Sequence, residues 1–159
     1  MRYLTPDSLD CSGLFGSSLV SENKAIFIGD LSEKHHDVHG SVYALNATTL
    51  LVKNFTHDGE APDVFFWAGT SGSVSGEGRL ITYPFLGTHY SDSADAPKLG
   101  RYTGQDLVLH LPPPLTVAEV KWLSVWCRLF GINFGELYWP DNFNEAQAVG
   151  ESGIFDCLK

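Results

Sequence analysis

The segment Trp122–Cys127 carries the residue best suited to redox or ligand chemistry, a cysteine within a strand-like run. Alternation along a strand places Cys127 on one face with Leu123 and Val125, and the two tryptophans with Ser124 on the other. Both faces are largely apolar, which predicts a central strand covered on each side. A thiol among aliphatic side chains is a weak nucleophile, so we favour a buried core cysteine. A redox-active or metal-ligating thiol is the alternative.

The six histidines raise the question of a metal site. A zinc or copper site needs imidazoles or thiolates that converge with fixed geometry, and the spacing of His35, His36 and His39 does not match one. Neighbouring side chains on an extended segment point apart, so we predict a solvated segment there and no metal site. If haem is bound through Cys127, His110 is the most reasonable second ligand.

The sequence contains no nucleophile elbow, zinc-protease pair or phosphate loop. The glycine-serine stretch Gly69–Gly78 lacks the lysine and following helix that phosphate binding requires, so we interpret it as a flexible connection. The loop Gly87–Lys98 contains Asp92 and Asp95, but their spacing matches no calcium loop and favours a solvated polar segment. We therefore expect a protein that is not an enzyme.

Three aromatic residues follow the last predicted strand or lie at its end: Tyr138, Trp139 and Phe143. They are candidates for a stacking platform that binds a sugar or a hydrophobic partner. The interpretation we favour is that they close one end of the β structure.

Cys11 and Cys157 lie near the two ends of the chain. In an oxidising compartment they are the candidate disulfide pair, because the apolar strand makes Cys127 the odd cysteine of the three. An intermolecular bridge and free thiols remain as alternatives.

Two glycosylation sequons begin at Asn46 and Asn54. Asn46 lies between two strand-like runs, where a hairpin tip faces solvent. Asn54 is the weaker candidate, because an uninterrupted strand would place it on the same face as Leu50 and Val52, where a glycan cannot be buried.

Composition limits the class of protein. The chain has 159 residues, with 43% hydrophobic and 18% charged residues, which is typical of one globular domain. The formal net charge of −9 and the scattered basic residues exclude a nucleic-acid-binding surface. No apolar stretch approaches the roughly 18 residues of a membrane-spanning helix.

Short runs of β-forming residues alternate with turn residues throughout, which predicts an all-β fold. About eight antiparallel strands should form a β-sandwich or a small closed barrel, since a single flat sheet would leave a bare apolar face. One helical turn is expected at Thr116–Val120, where Glu119 completes a capping box. The predicted strands are Ala25–Leu31, Gly40–Leu45, Leu50–Phe55, Val64–Gly69, Arg79–Tyr83, Asp106–His110, Trp122–Cys127 and Gly131–Tyr138.

The run Lys121–Arg128, followed by Asn133-Phe134-Gly135, closely resembles the signature of the DM-thirteen domain family, also called the electron transfer DM-thirteen domain. Further motifs agree in order and spacing. They are His39–Tyr43, Asn54-Phe55 through Asp58-Gly59, Pro62-Asp63, Phe66–Gly69 and Leu107–Pro112. The resemblance covers roughly residues 27–140, so we divide the chain into an N-terminal extension (1–24), a β domain (25–140) and a C-terminal extension (141–159).

The resemblance implies an extracellular β module of matrix or cuticle proteins. We expect a non-catalytic structural or interaction domain whose partners are extracellular proteins, polysaccharides or further copies of itself. The family has also been proposed to take part in electron transfer, which would make Cys127 a redox thiol or a haem ligand. We expect no cofactor on the first interpretation, and haem is the cofactor of the alternative.

Overall fold

The computed structural model describes residues 25–91 and 94–143. These residues form nine strands and, within those two ranges, no helix. The strands are β1 (Ile26–Asp30), β2 (Ser32–Glu33), β3 (His39–Asn46), β4 (Thr49–His57), β5 (Val64–Gly69), β6 (Arg79–Ile81), β7 (Tyr102–His110), β8 (Trp122–Cys127) and β9 (Ile132–Tyr138). The all-β prediction is confirmed. The ninth strand arises because β1 ends at Asp30, one residue before the predicted end at Leu31, and the chain continues as β2 in the other sheet.

The strands form two antiparallel sheets that pack face to face. The four-stranded sheet has the order β1-β3-β4-β7, and the five-stranded sheet has the order β2-β9-β8-β5-β6. The chain first passes from one sheet to the other at buried Leu31, which lies between β1 and β2. The described strands therefore form a sandwich and not a closed barrel.

The main core lies between the two sheets. Each sheet contributes alternate residues of its strands, as the pleat requires. Phe55 of β4 meets Phe66 of β5 across this interface with ring centroids 5.1 Å apart. Burying each such side chain stabilises the fold by roughly 1.5–3 kcal/mol. The inward residues include Val42, Leu50, Val52, Leu107 and Leu109 from one sheet and Leu123, Val125, Cys127, Phe134 and Leu137 from the other.

A second buried cluster covers the outer face of the five-stranded sheet. It consists of Phe65, Trp67, Leu80, Ala96, Trp122 and Trp126. Val74 from the segment 70–78 and Tyr90 from the segment 82–98 pack against it. All six residues of β8 are consequently buried, which confirms the prediction of a central strand covered on each side.

The glycine-serine stretch does more than connect β5 to β6. Its Ser71 carbonyl accepts a hydrogen bond from Trp122 Nε1 at 3.2 Å. A Cβ atom on Gly69 would overlap the Trp122 indole, and one on Gly78 would lie 2.6 Å from Trp122 Cη2. Glycine is required at both positions, because Trp122 occupies the space of a side chain at Gly69, and Trp67 and Trp122 together occupy it at Gly78.

The segment between β7 and β8 contains the predicted helical turn. Thr116 N donates to the Glu119 carboxylate at 3.0 Å, which is one half of a capping box, while Glu119 N and Val120 N donate to the Thr116 carbonyl at 3.0 and 3.2 Å. It stays a single hydrogen-bonded turn. Within the described ranges no helix has the length and apolar character needed to cross a membrane.

Candidate functional site

Cys127 ends β8 and faces the main core. Its side chain is fully buried with Leu123 and Val125, as the alternation predicted. The sulfur forms no disulfide, and the thiol donates to Pro62 O at 3.3 Å. The thiol therefore has a polar partner that the sequence did not reveal, on the segment that leads into β5.

Arg128, the residue after Cys127, also binds the segment that leads into β5. Arg128 N donates to Asp63 O at 2.9 Å, and Arg128 Nε lies 3.1 Å from Asp63 Oδ2. Lys98 Nζ lies 3.9 Å from the other oxygen of this carboxylate, which is 9% exposed. Asp63 also adopts a φ of 60°, which few residues other than glycine accept without support. Cys127-Arg128 and Pro62-Asp63 thus form one clamp between the end of β8 and the start of β5.

Ser124 and Asn133 connect β8 to β9. Ser124 Oγ donates to Asn133 Oδ1 at 2.9 Å, and Asn133 Nδ2 donates to Glu136 Oε1 at 2.8 Å. Gly135 N donates to the same Asn133 oxygen at 3.1 Å. A Cβ atom on Gly135 would lie 2.5 Å from Val38 Cγ1. The signature residues are therefore joined to one another by packing and hydrogen bonds.

A histidine cluster lies beside Phe134, at the same end of the sandwich as Asn133. The ring centroids of His36, His35 and His57 lie 4.4, 6.0 and 6.1 Å from that of Phe134. His35 is exposed, as predicted for a solvated segment, but His36 is half buried, because its loop folds back over Phe134. His36 Nδ1 lies 3.0 Å from Asp58 Oδ2.

His57 is the buried member of this cluster. It has no exposed surface, its Nδ1 lies 3.3 Å from His36 O, and its Nε2 has no hydrogen-bond partner in the described structure. Burial lowers the pKa of His57 below its ordinary value. Desolvation works to raise the pKa of Asp58, but hydrogen bonds from Glu60 N and His36 outweigh it and lower that pKa. No local pattern predicts the contact between His36 and Asp58, since the two residues are 22 positions apart in the chain.

One group of side chains has the composition of a metal site. Donor atoms of Glu33, Asp37 and His39 all lie within 4.8 Å of one another. His39 Nε2 is 3.1 Å from Asp37 Oδ1, and all three residues are exposed. Exposed groups of this kind commonly form ion pairs without a metal.

His110 lies away from Cys127, so the geometry does not fit haem held by both. His110 ends β7 beside Phe85, at 4.8 Å between ring centroids, and lines a cavity of about 240 Å³ that does not include Cys127. The segment that follows His110 leads to the start of β8, whereas Cys127 is at its far end. Burial, together with His110 and Arg79, lowers the pKa of His89 in this cavity.

The terminal aromatic residues close an end of the sandwich. Trp139 is buried and its Nε1 donates to Val117 O at 3.0 Å, with the Phe143 ring centroid 6.5 Å away. Tyr138 is 42% exposed, and its hydroxyl accepts a hydrogen bond from Val74 N at 3.1 Å. The structure favours this interpretation over a stacking platform.

Both sequon asparagines are exposed. Asn46 begins the β3–β4 hairpin tip, where its Oδ1 accepts from Thr48 N at 2.9 Å. The expectation that Asn54 shares a buried face with Leu50 and Val52 was wrong, because a bulge interrupts β4 between Val52 and Phe55. Asn54 takes a φ of 59° and faces solvent, while Phe55 turns into the core. Glycosylation at either position stays a prediction.

Cys11, Cys157 and Asp92 lie outside the described residues. The predicted disulfide therefore stays a prediction.

Comparison with known proteins places the chain in a family. The sequence model described as "Electron transfer DM13" matches residues 30–138. "Protein Skeletor, isoforms B/C" of Drosophila melanogaster is 38% identical over 117 residues, which cover 74% of this chain and 14% of the relative. Isoforms D/E match at the same identity over 7% of their length, so the chain spans a small part of these relatives. No solved structure matches. Family model and relatives agree that the chain belongs to the DM13 family.

Proposed function

We propose that this chain is a non-catalytic structural or interaction module of an extracellular assembly, in which Cys127 is a packing residue. The observation that carries the proposal is the burial of Cys127 together with its hydrogen bond to Pro62 O. Reactive cysteines are partly exposed, because the thiolate must meet its oxidant, metal or partner thiol.

The surroundings of the thiol support the same assignment. Arg128, the nearest cation along the chain, is bound to Asp63 and not to the sulfur. The neighbouring Ser124 is buried and hydrogen-bonded to Asn133. The signature residues Ser124, Cys127 and Arg128 therefore each have a packing or hydrogen-bonding explanation in this chain.

The extracellular location rests on the two sequons. Asn46 and Asn54 both expose their side chains, as glycan attachment requires. Asn46 lies on a hairpin tip, where an enzyme has free access to the acceptor nitrogen. Expression in a secretory host, followed by glycopeptide mass spectrometry, tests this part of the proposal.

The name of the family, electron transfer DM13, supports an alternative in which Cys127 is a redox thiol or a haem ligand. The alternative requires access to a sulfur that is fully buried. Access would need separation of Pro62 from the end of β8. The two functions therefore differ in a measurable property, the reactivity of Cys127 in the folded protein.

Alkylation tests the proposal directly. The native chain is treated with iodoacetamide before and after unfolding in urea, and labelling is read by peptide mass spectrometry at each cysteine. We expect Cys127 to react only after unfolding. A Pro62→Gly variant is the matched comparison, because it loosens the segment whose carbonyl binds the thiol without changing the sulfur. Rapid labelling of Cys127 in the folded wild type, or a visible absorption band that shifts on reduction, would overturn the proposal in favour of the redox alternative.

A further inference from the structure

An apolar row crosses the outer face of the four-stranded sheet. Its members lie directly opposite one another in the strand register, one from each strand: Phe27, Tyr43, Leu51 and Val108. Phe27 is 54% exposed and Val108 is 40% exposed, and the two central residues are partly exposed. An antiparallel sheet that faces water normally presents polar side chains on that face. A row of four opposed apolar residues is therefore a candidate docking surface.

The side chains next to the row are already paired within the chain. Ser41 Oγ donates to Asp30 Oδ1 at 2.6 Å, and Lys53 Nζ lies 3.9 Å from Asp106 Oδ2. Asp30, Ser41, Lys53 and Asp106 come one from each of the four strands and lie along one side of the row. A partner that covers this side of the row meets a Lys53 charge that is already paired with Asp106 and an Asp30 carboxylate that already accepts a hydrogen bond, which lowers the cost of burying them.

The area of this face matches a modest protein interface. Its strands have 5, 8, 9 and 9 residues. At about 4.8 Å between strands and about 3.4 Å per residue, the face measures roughly 500 Å². Covering both faces completely would bury roughly 1,000 Å² in total, about the smallest total for a specific interface, so the contact has to extend beyond the apolar row.

We infer that the occupant of this face is a second copy of the chain, in a two-fold dimer with the apolar rows packed against each other. An apolar row is complementary to another apolar row, and a two-fold contact brings identical patches together. Outer faces that stack in this way resemble the sheet packing already present inside the sandwich. The inference deepens the proposed function by naming a partner, and it rests on that function only in assuming an interaction module.

Sedimentation equilibrium of the full chain at a series of concentrations tests the inference. We expect a concentration-dependent dimer, and a Phe27→Ser, Val108→Ser double variant whose dissociation constant is about tenfold higher or more. The matched control is Leu129→Ser with Phe130→Ser, which removes two residues of similar chemistry, 61% and 62% exposed, from the β8–β9 turn. The control should dimerise like the wild type.

A chain that stays monomeric at every concentration would overturn the inference and leave a different partner for the face. Dissociation caused by the turn variant and not by the row variant would do the same. Should the row variant fold poorly, methyl NMR of wild-type Leu51 and Val108 with a soluble paramagnetic agent gives the answer. Their signals should be protected at high protein concentration and broadened at low concentration.

The alkylation experiment and the sedimentation experiment test the two proposals independently of each other. Cys127 lies between the sheets, so its alkylation does not depend on what covers the outer face. A reactive Cys127 in an intact dimer would count against the proposed function alone. An unreactive Cys127 in a monomer would count against the dimer alone.

Discussion

The outer face of the five-stranded sheet carries Trp67, Trp122 and Trp126, and Val74, Tyr90 and Ala96 from two loops of the chain pack with them. The outer face of the four-stranded sheet carries the apolar row, which spans all four strands from Phe27 to Val108 and stays partly open to water. Both outer faces of the sandwich carry apolar residues, but the two faces differ in what covers those residues. One surface is completed by loops of the same chain, and the other is left for a contact outside the fold.

The largest expected difference between the faces concerns their aromatic residues. Trp122→Ala should lower the free energy of unfolding by about 3–5 kcal/mol, because it empties a fully enclosed site. Phe27→Ala should cost less than about 1 kcal/mol, because the ring is already half in water. Urea unfolding of both variants measures the difference, and similar losses would show that the two faces are equally buried in solution.

A smaller effect tests how closely the loops fit the covered face. Gly69→Ala should lower the free energy of unfolding by about 1–3 kcal/mol, because its new methyl group would overlap the Trp122 indole. Gly100→Ala is the control, since a Cβ atom there meets no other atom within 4 Å. Equal stability of the two variants would mean that Trp122 and the segment 70–78 shift easily to make room for the methyl group.

The third prediction concerns the interior that both faces share. Burial lowers the pKa of His57 in the folded state, while the unfolded chain titrates near 6.5. Below that pH the unfolded chain binds a proton that the folded chain does not, so stability present at neutral pH is lost as the pH falls through 6.5. The slope should not exceed about 1.4 kcal/mol per pH unit from this residue.

Urea unfolding at pH 7.5 and pH 5 measures the effect of His57. His57→Gln should flatten the pH dependence, whereas His35→Gln, at an exposed position of the same cluster, should retain it. At pH 5 the Trp122 variant should still be less stable than the Phe27 variant, since His57 lies beneath neither outer face. A wild-type profile in the His57 variant would assign the acid sensitivity to other groups.

The strands and their buried faces could be predicted from the sequence. Val64–Gly69 and Trp122–Cys127 begin and end as expected, because apolar runs bounded by turn residues are local signals. The two-sided burial of β8 followed from alternation alone. Membership of the family followed from motifs that recur in order along the chain.

Contacts between distant segments could not be predicted. The bulge at Asn54 reverses the face of every residue after it, and nothing in the local pattern announces an extra residue. The bond from Cys127 to Pro62 and the packing of Gly69 against Trp122 depend on strand order. Strand order is set by the whole fold, so a cysteine whose burial was predicted still had an unknown partner.

The β3–β4 hairpin tip also limits how this domain can change its length during evolution. Ala47 O accepts from Val117 N at 2.8 Å, and Thr48 O accepts from Leu111 N at 2.9 Å, so the tip holds the segment between β7 and β8 in place. An insertion beside Asn46 would displace these carbonyls and release that segment. The turn at Leu129-Phe130 carries exposed side chains, and insertions and deletions among relatives should accumulate there instead.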